Sequence, residues 1–147
     1  MILLYDLYPT KKDAIAKIYN MKKYFDASPA QIQAFIQLPV HSPIHMLNYL
    51  KFKDQVEDTG LSGKEQYDAY IKAATPFLIK AEAKILYSGS PKFTLVGPEG
   101  DMDWDQILIV EYPSKQHFFK MVTDKAYPAD LRKLALQDSR LYFCEGK

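Results

Sequence analysis

A single cysteine, Cys144, in 147 residues excludes an intramolecular disulfide. An unpaired thiol with no export signal favours a reducing compartment. Glycine is scarce, with six residues scattered along the chain, and no Gly-rich phosphate loop can be drawn from them. A nucleophile elbow and an HExxH run are absent too, which removes the usual signatures of hydrolases, kinases and metalloproteases. No stretch approaches the ~20 apolar residues that span a bilayer. Met1 to Tyr5 is apolar, but Asp6 ends it, and it lacks the basic start and length of a signal peptide. The expectation is a cytoplasmic protein with no membrane association. Charge of one sign is missing as well: 19 basic against 18 acidic residues give a net charge of +1. With no basic stripe to track a phosphate backbone, a nucleic-acid partner is not expected.

The chain does have enough apolar material for one domain with a substantial core. It is 48% hydrophobic and 25% charged, the ordinary range for a folded protein. Eleven tyrosines and eight phenylalanines stand out. Such side chains build cores, pocket walls and interfaces alike.

The pattern divides near residue 40. Residues 1–40 read as a helical N-terminal extension. Thr10 and Asp13 have capping-box-like spacing, followed by Ala14, Ile15, Ile18, Tyr19, Met21 and Phe25 at helical intervals. Ser28-Pro29-Ala30-Gln31 is a stronger start: an N-cap serine, proline at the first helical position and glutamine completing the box. Ile32, Phe35 and Ile36 form the apolar side, and Pro39 closes that helix. Residues 41–147 form the main domain. His45 to Phe52 predicts a strand with two apolar faces. Ser62-Gly63-Lys64-Glu65 opens a helix to about Ala81, with a kink near Lys72 or a break at Thr75 expected from Pro76. Lys84–Ser88 and Phe93–Val96 predict two strands joined by Gly89-Ser90-Pro91. Ile107 to Val110 are consecutive, β-branch-rich and apolar, as in a strand covered on both faces. Pro113 ends that ladder and Ser114 caps a helix carrying Phe118, Phe119, Met121 and Val122. A short helix over Tyr127–Gln137 and a last strand over Leu141–Cys144 complete the chain.

This order is the α+β, ferredoxin-like β-α-β-β-α-β plan with an antiparallel sheet. Two main helices cover only one sheet face, yet the strands over 45–52 and 106–112 are apolar on both. A homodimer formed by packing sheet on sheet resolves the conflict; the helical extension covering that face is the alternative.

Several short pieces of the main domain fit together in order and spacing. They are Asn48-Tyr-Leu-Lys-Phe52, Tyr67-x-x-Tyr70, Trp104-Asp105, Glu111-Tyr-Pro-Ser114, Phe118 and Met121, Tyr127, Arg132 and Asp138-Ser-Arg-Leu141. On these the domain resembles an uncharacterised family of the dimeric α/β-barrel superfamily. The resemblance implies a ferredoxin-like fold and dimerisation, and brings no activity with it. The chain departs from the pattern at Glu82-Ala83-Lys84, where relatives tend to carry a glycine pair.

Candidate chemistry is sparse. Asp101, Asp103 and Asp105 alternate as in a calcium loop, but Gln106 and Tyr112 stand where that loop needs glycine and glutamate. His41 and His45 are four apart with Pro43 between them, which breaks the helix that would pair them. Hence no metal and no cofactor is expected. Glu111, at the end of an apolar strand, and His117, on the first turn after Ser114, are the candidate proton acceptors. Glu111 pairing structurally with Arg132 and His117 lying on the surface are the plainer readings. Asn48, Tyr67, Tyr70, Trp104, Asp105, Tyr127 and Arg132 are the candidate ligand-binding residues, with Arg132 as the anion-binding group. The same residues would also serve simply to hold the fold. Two functions follow: a small-molecule-binding protein or metal-independent enzyme with a cavity between sheet and helices, or a non-catalytic structural or interaction module acting as a homodimer. The pattern names no reaction.

Overall fold

A computed structural model of the protein describes residues 23–41, 43–99 and 103–146. The described elements are α1 (Pro29–Gln37), β1 (Ile44–Phe52), α2 (Gly63–Lys80), β2 (Lys84–Gly89), β3 (Gln106–Tyr112), α3 (Lys115–Val122), α4 (Ala129–Ala135) and β4 (Leu136–Glu145). The expected helix after Thr10 lies outside the described residues.

All three strand pairings are antiparallel and the order across the sheet is β2-β3-β1-β4. β1 therefore runs parallel to β2 with β3 between them, and β3 parallel to β4 with β1 between them. Each such pair needs a helical crossover; α2 supplies the first, α3 and α4 the second. This is the ferredoxin-like arrangement, with the helices on one face of an α+β sheet.

Burial alternates along β1 without a break. Ile44, Met46, Asn48, Leu50 and Phe52 point at the helices and are buried, while His45, Leu47, Tyr49 and Lys51 face the other way. The helix-side residues fall into two clusters. Ile44 and Met46 pack with Val110, Tyr112 and Met121; Leu50 and Phe52 pack with Tyr67, Tyr70, Ala74 and Leu136. Asn48 sits between them, the one polar residue in the row. Fully burying a side chain such as Leu50 contributes about 1.5–3 kcal/mol.

Local signals explain most element ends. Ser62 and Glu65 form a reciprocal capping box at α2, and Ser114 accepts from the His117 N–H at α3. Gly63 is tucked against backbone: a Cβ there would lie 2.4 Å from the Lys53 oxygen and 2.7 Å from that of Ala135. α2 ends with Glu82 in the left-handed region (φ 52°). The N–H groups of Glu82 and Ala83 donate to Ile79 and Leu78, the paired bonds that close a helix through a left-handed residue.

Three expectations need correction. The helix over residues 63–80 runs through Pro76 without a break; Thr75 donates its hydroxyl to the Ile71 carbonyl one turn back. Phe93–Val96 is not a strand. β2 is an edge strand bonded only to β3, and the segment lies between Pro91 and Pro98 with Phe93, Leu95 and Val96 exposed. Nothing there buries the apolar side chains that suggested a strand. The last strand starts at Leu136, five residues before the expected Leu141, because Leu136 is fully buried opposite Phe52.

α1 packs on the helix side. Phe35 meets Phe118, Phe119 and Phe143, with ring centroids 5.4–6.4 Å apart. The Lys115 ammonium donates to the carbonyls of Phe35, Ile36 and Leu38 at 2.9, 3.0 and 2.6 Å, holding the C-terminal end of α1. The opposite sheet face carries no described helix.

Candidate functional site

An open cleft runs between α1, α3, α4 and the helix side of the sheet. Its space, about 1960 Å³, is well beyond the ~300–1,000 Å³ of a single ligand pocket. The chemistry is concentrated at its inner end. There Asn48 reaches in from β1, Tyr67 and Tyr70 from α2, Tyr112 from the end of β3, Tyr127 from the α3–α4 turn and Arg132 from α4. The strand period brings Asn48 and Tyr112 to one face, the helical period aligns Tyr67 with Tyr70, and α4 packs along α2, placing Arg132 over them. Phe35, Phe118 and Phe119 form an apolar outer wall.

Asn48 is a buried amide with weak bonds: Nδ2 donates to the Met46 carbonyl at 3.4 Å, and Oδ1 accepts from Arg132 at 3.5 Å. The Tyr70 and Tyr127 hydroxyls share a short hydrogen bond. Burial pushes the Tyr67 hydroxyl well above its ordinary pKa, and the positive charge of the neighbouring Arg132 guanidinium only partly opposes that. Tyr112 and Tyr127 are raised in the same sense, again chiefly by burial. All three therefore stay protonated at neutral pH and remain hydrogen-bond donors. Among the described residues, no carboxylate forms an ion pair with Arg132.

The other candidates lie away from this inner end, although Trp104 also lines the cleft. Glu111 projects from the opposite sheet face, where its carboxylate meets His45 at 3.0 Å and Lys84 at 3.9 Å. It does not pair with Arg132. His117 sits on the outside of α3, bonded to Ser114 at 2.7 Å and Glu82 at 3.1 Å. Asp105 fastens the start of β3 to β1, accepting from the Phe52 N–H at 2.8 Å and pairing with Lys51 at 3.5 Å. Trp104 packs edge-on to Tyr49 and under Arg140, towards the open sheet face. Asp101 is outside the described residues and Asp103 is exposed. Among the described residues, no three His, Cys, Asp or Glu side chains are grouped to hold a metal. Tyr112 was missed as a cleft residue, although its even-numbered place with Leu108 and Val110 marks the helix side of β3.

No family model matches the chain, and no curated protein does. Solved structures do. RPA0582, a protein of unknown function from Rhodopseudomonas palustris, superposes with a TM-score of 0.77. Its methylated form is 30% identical, over 86% of this chain and 97% of that one. A second structure of it is 29% identical, over 86% and 98%. The chain belongs to the family of RPA0582. The Arabidopsis thaliana protein At3g17210 is 16% identical with a TM-score of 0.50, over 71% of this chain and 95% of that one, and shares the fold alone. Membership of the RPA0582 family brings an architecture and no reaction, in line with the resemblance read from the sequence.

Proposed function

We propose that the protein binds a small molecule at the inner end of the cleft and works as a homodimer joined through the open sheet faces. The observation that carries the binding reading is the set of under-used polar groups between the two core clusters. Asn48 makes only marginal bonds, Arg132 has no described carboxylate partner, and aromatic walls surround both. Buried polar groups in a finished core are normally satisfied, so such a set fits a ligand better than a packing role. In this reading Asn48, Tyr67, Tyr70, Tyr127 and Arg132 contact the ligand, residues 1–40 are an extension to the 41–147 domain, and the described part of that extension, residues 23–40, contributes to the cleft wall. Glu111 and His117 lie away from the inner end, which favours binding over proton-transfer catalysis there. Saturation-transfer NMR with small neutral aromatics (benzamide, phenol and indole) tests the cleft. Magnetisation transfer to at least one is expected at millimolar concentration, and transfer to none contradicts the reading.

The dimer rests on the other face. Leu47, Tyr49, Ile107 and Ile109 form an apolar centre flanked by the half-exposed Tyr87 and Tyr142. His45, Glu111 and Lys84 lie at one end, and Lys51, Asp138 and Arg140 at the other. An apolar centre within a charged rim is the make-up of a protein interface. Light scattering should give twice the 16.9 kDa chain mass; a monomer at micromolar concentration contradicts it.

A further inference from the structure

We propose that the cleft selects an anion: its ligand carries a carboxylate that docks on Arg132, with an aromatic body lying against the phenylalanine wall. The inference rests on the cleft reading above and adds the chemical class.

Donors outnumber acceptors at the inner end of the cleft. Arg132 has five N–H donors and no acceptor. Its guanidinium donates to Asn48 Oδ1 at 3.5 Å, a long bond that leaves most of these donors for a ligand. In the Tyr70–Tyr127 pair one hydroxyl proton is used between them and the other is left over. Asn48 Oδ1, an obvious acceptor at the inner end, already faces Arg132. The site thus presents a surplus of donors and a fixed positive charge. Carboxylates elsewhere along the cleft do not supply the missing acceptor. Asp26 is paired with Lys133 at 2.9 Å and Asp138 with Arg140 at 2.7 Å, while Glu99 and Asp103 are exposed. A planar guanidinium beside hydroxyl donors matches the two oxygens of a carboxylate. A cationic ligand would meet repulsion from the guanidinium. The Phe118 and Phe119 rings, 5.6 Å apart, supply the apolar surface beyond the charge.

Benzoate and benzamide are close in size and differ in charge, so they separate the two claims. In the unmodified protein benzoate is expected to bind at least about tenfold more tightly than benzamide, as hydrogen bonds to a charged group imply. Arg132→Gln should bring the two within about twofold of each other, on the same scale, by weakening benzoate far more than benzamide. Asn48→Asp keeps Arg132 but supplies an internal carboxylate in its place, and should abolish the benzoate preference while leaving melting temperature equal or higher. Equal binding of both probes by the unmodified protein overturns the anion proposal and leaves the cleft reading standing. A preference that survives both substitutions overturns the assignment to Arg132. Binding of neither probe overturns the cleft reading and this inference with it.

Discussion

Lys115 ties α1 to the body of the protein through three carbonyls, and removing it gives a local effect of calculable size. α1 has nine residues and none is buried, so it is too short to hold its shape unaided. Two things secure it: the packing of Phe35 and the three bonds from Lys115 to its C-terminal carbonyls. A cation at the negative end of a helix contributes about 0.3–1 kcal/mol. Charge-assisted hydrogen bonds in a buried setting contribute about 1.5–3 kcal/mol, but these carbonyls can be rehydrated, so the larger figure must be discounted. Lys115→Met, which keeps most of the alkyl stem, should therefore cost about 1–2 kcal/mol of local stability. In population terms that is roughly a 5- to 30-fold rise in the open form of α1. Hydrogen exchange of the α1 amides reads this directly, since local opening is measured separately from global unfolding. Lys115→Arg should recover little, because a flat guanidinium does not point three donors at three converging carbonyls. Unchanged exchange in α1, or a loss shared equally with the amides of β1 and β3, would refute the reasoning.

Glu82 occupies a left-handed backbone position that strains a side chain, so Glu82→Gly should be more stable than Glu82→Ala by about 1 kcal/mol, read by urea denaturation. Gly63→Ala would drive a methyl into the backbone of Lys53 and Ala135 and should cost about 3 kcal/mol or leave the protein unfolded, as thermal melting would show. Tyr67, Tyr112 and Tyr127 have pKa values raised by burial, so their ionisation opposes folding. Below about pH 10 both states keep these protons and stability is unaffected; above it the unfolded state loses them first. Stability should then fall by up to about 4 kcal/mol per pH unit for three groups, which denaturation across pH 9–11 checks.

The fold was largely legible in the chain because periodicity and caps agreed. β1, β3 and the starts of α1, α2 and α3 all stood where serine caps, prolines and apolar runs placed them. The misses share one cause: local pattern is blind to partners. Phe93–Val96 has strand composition but no edge to join, and Asp138-Ser139 lacks strand composition yet pairs along β1. Pro76 marks a helix interruption by local rules, yet the helix continues there. The site was legible in part. Asn48 and the tyrosine pair announced themselves as polar groups on core-facing positions. The side of the sheet on which Glu111 emerges, and its pairing with His45, depend on a register set by strands more than sixty residues apart.

The chain has two arginines, which makes one measurement especially direct. Each arginine Nε–Hε gives its own NMR signal, so Arg132 and Arg140 can be followed separately as benzoate is added. Arg140 is already committed to Asp138 and to the Tyr24 and Trp104 rings. The Arg132 signal should shift and saturate with benzoate while the Arg140 signal stays in place. A still Arg132, or a shift confined to Arg140, would contradict a ligand cleft built around Asn48 and Arg132.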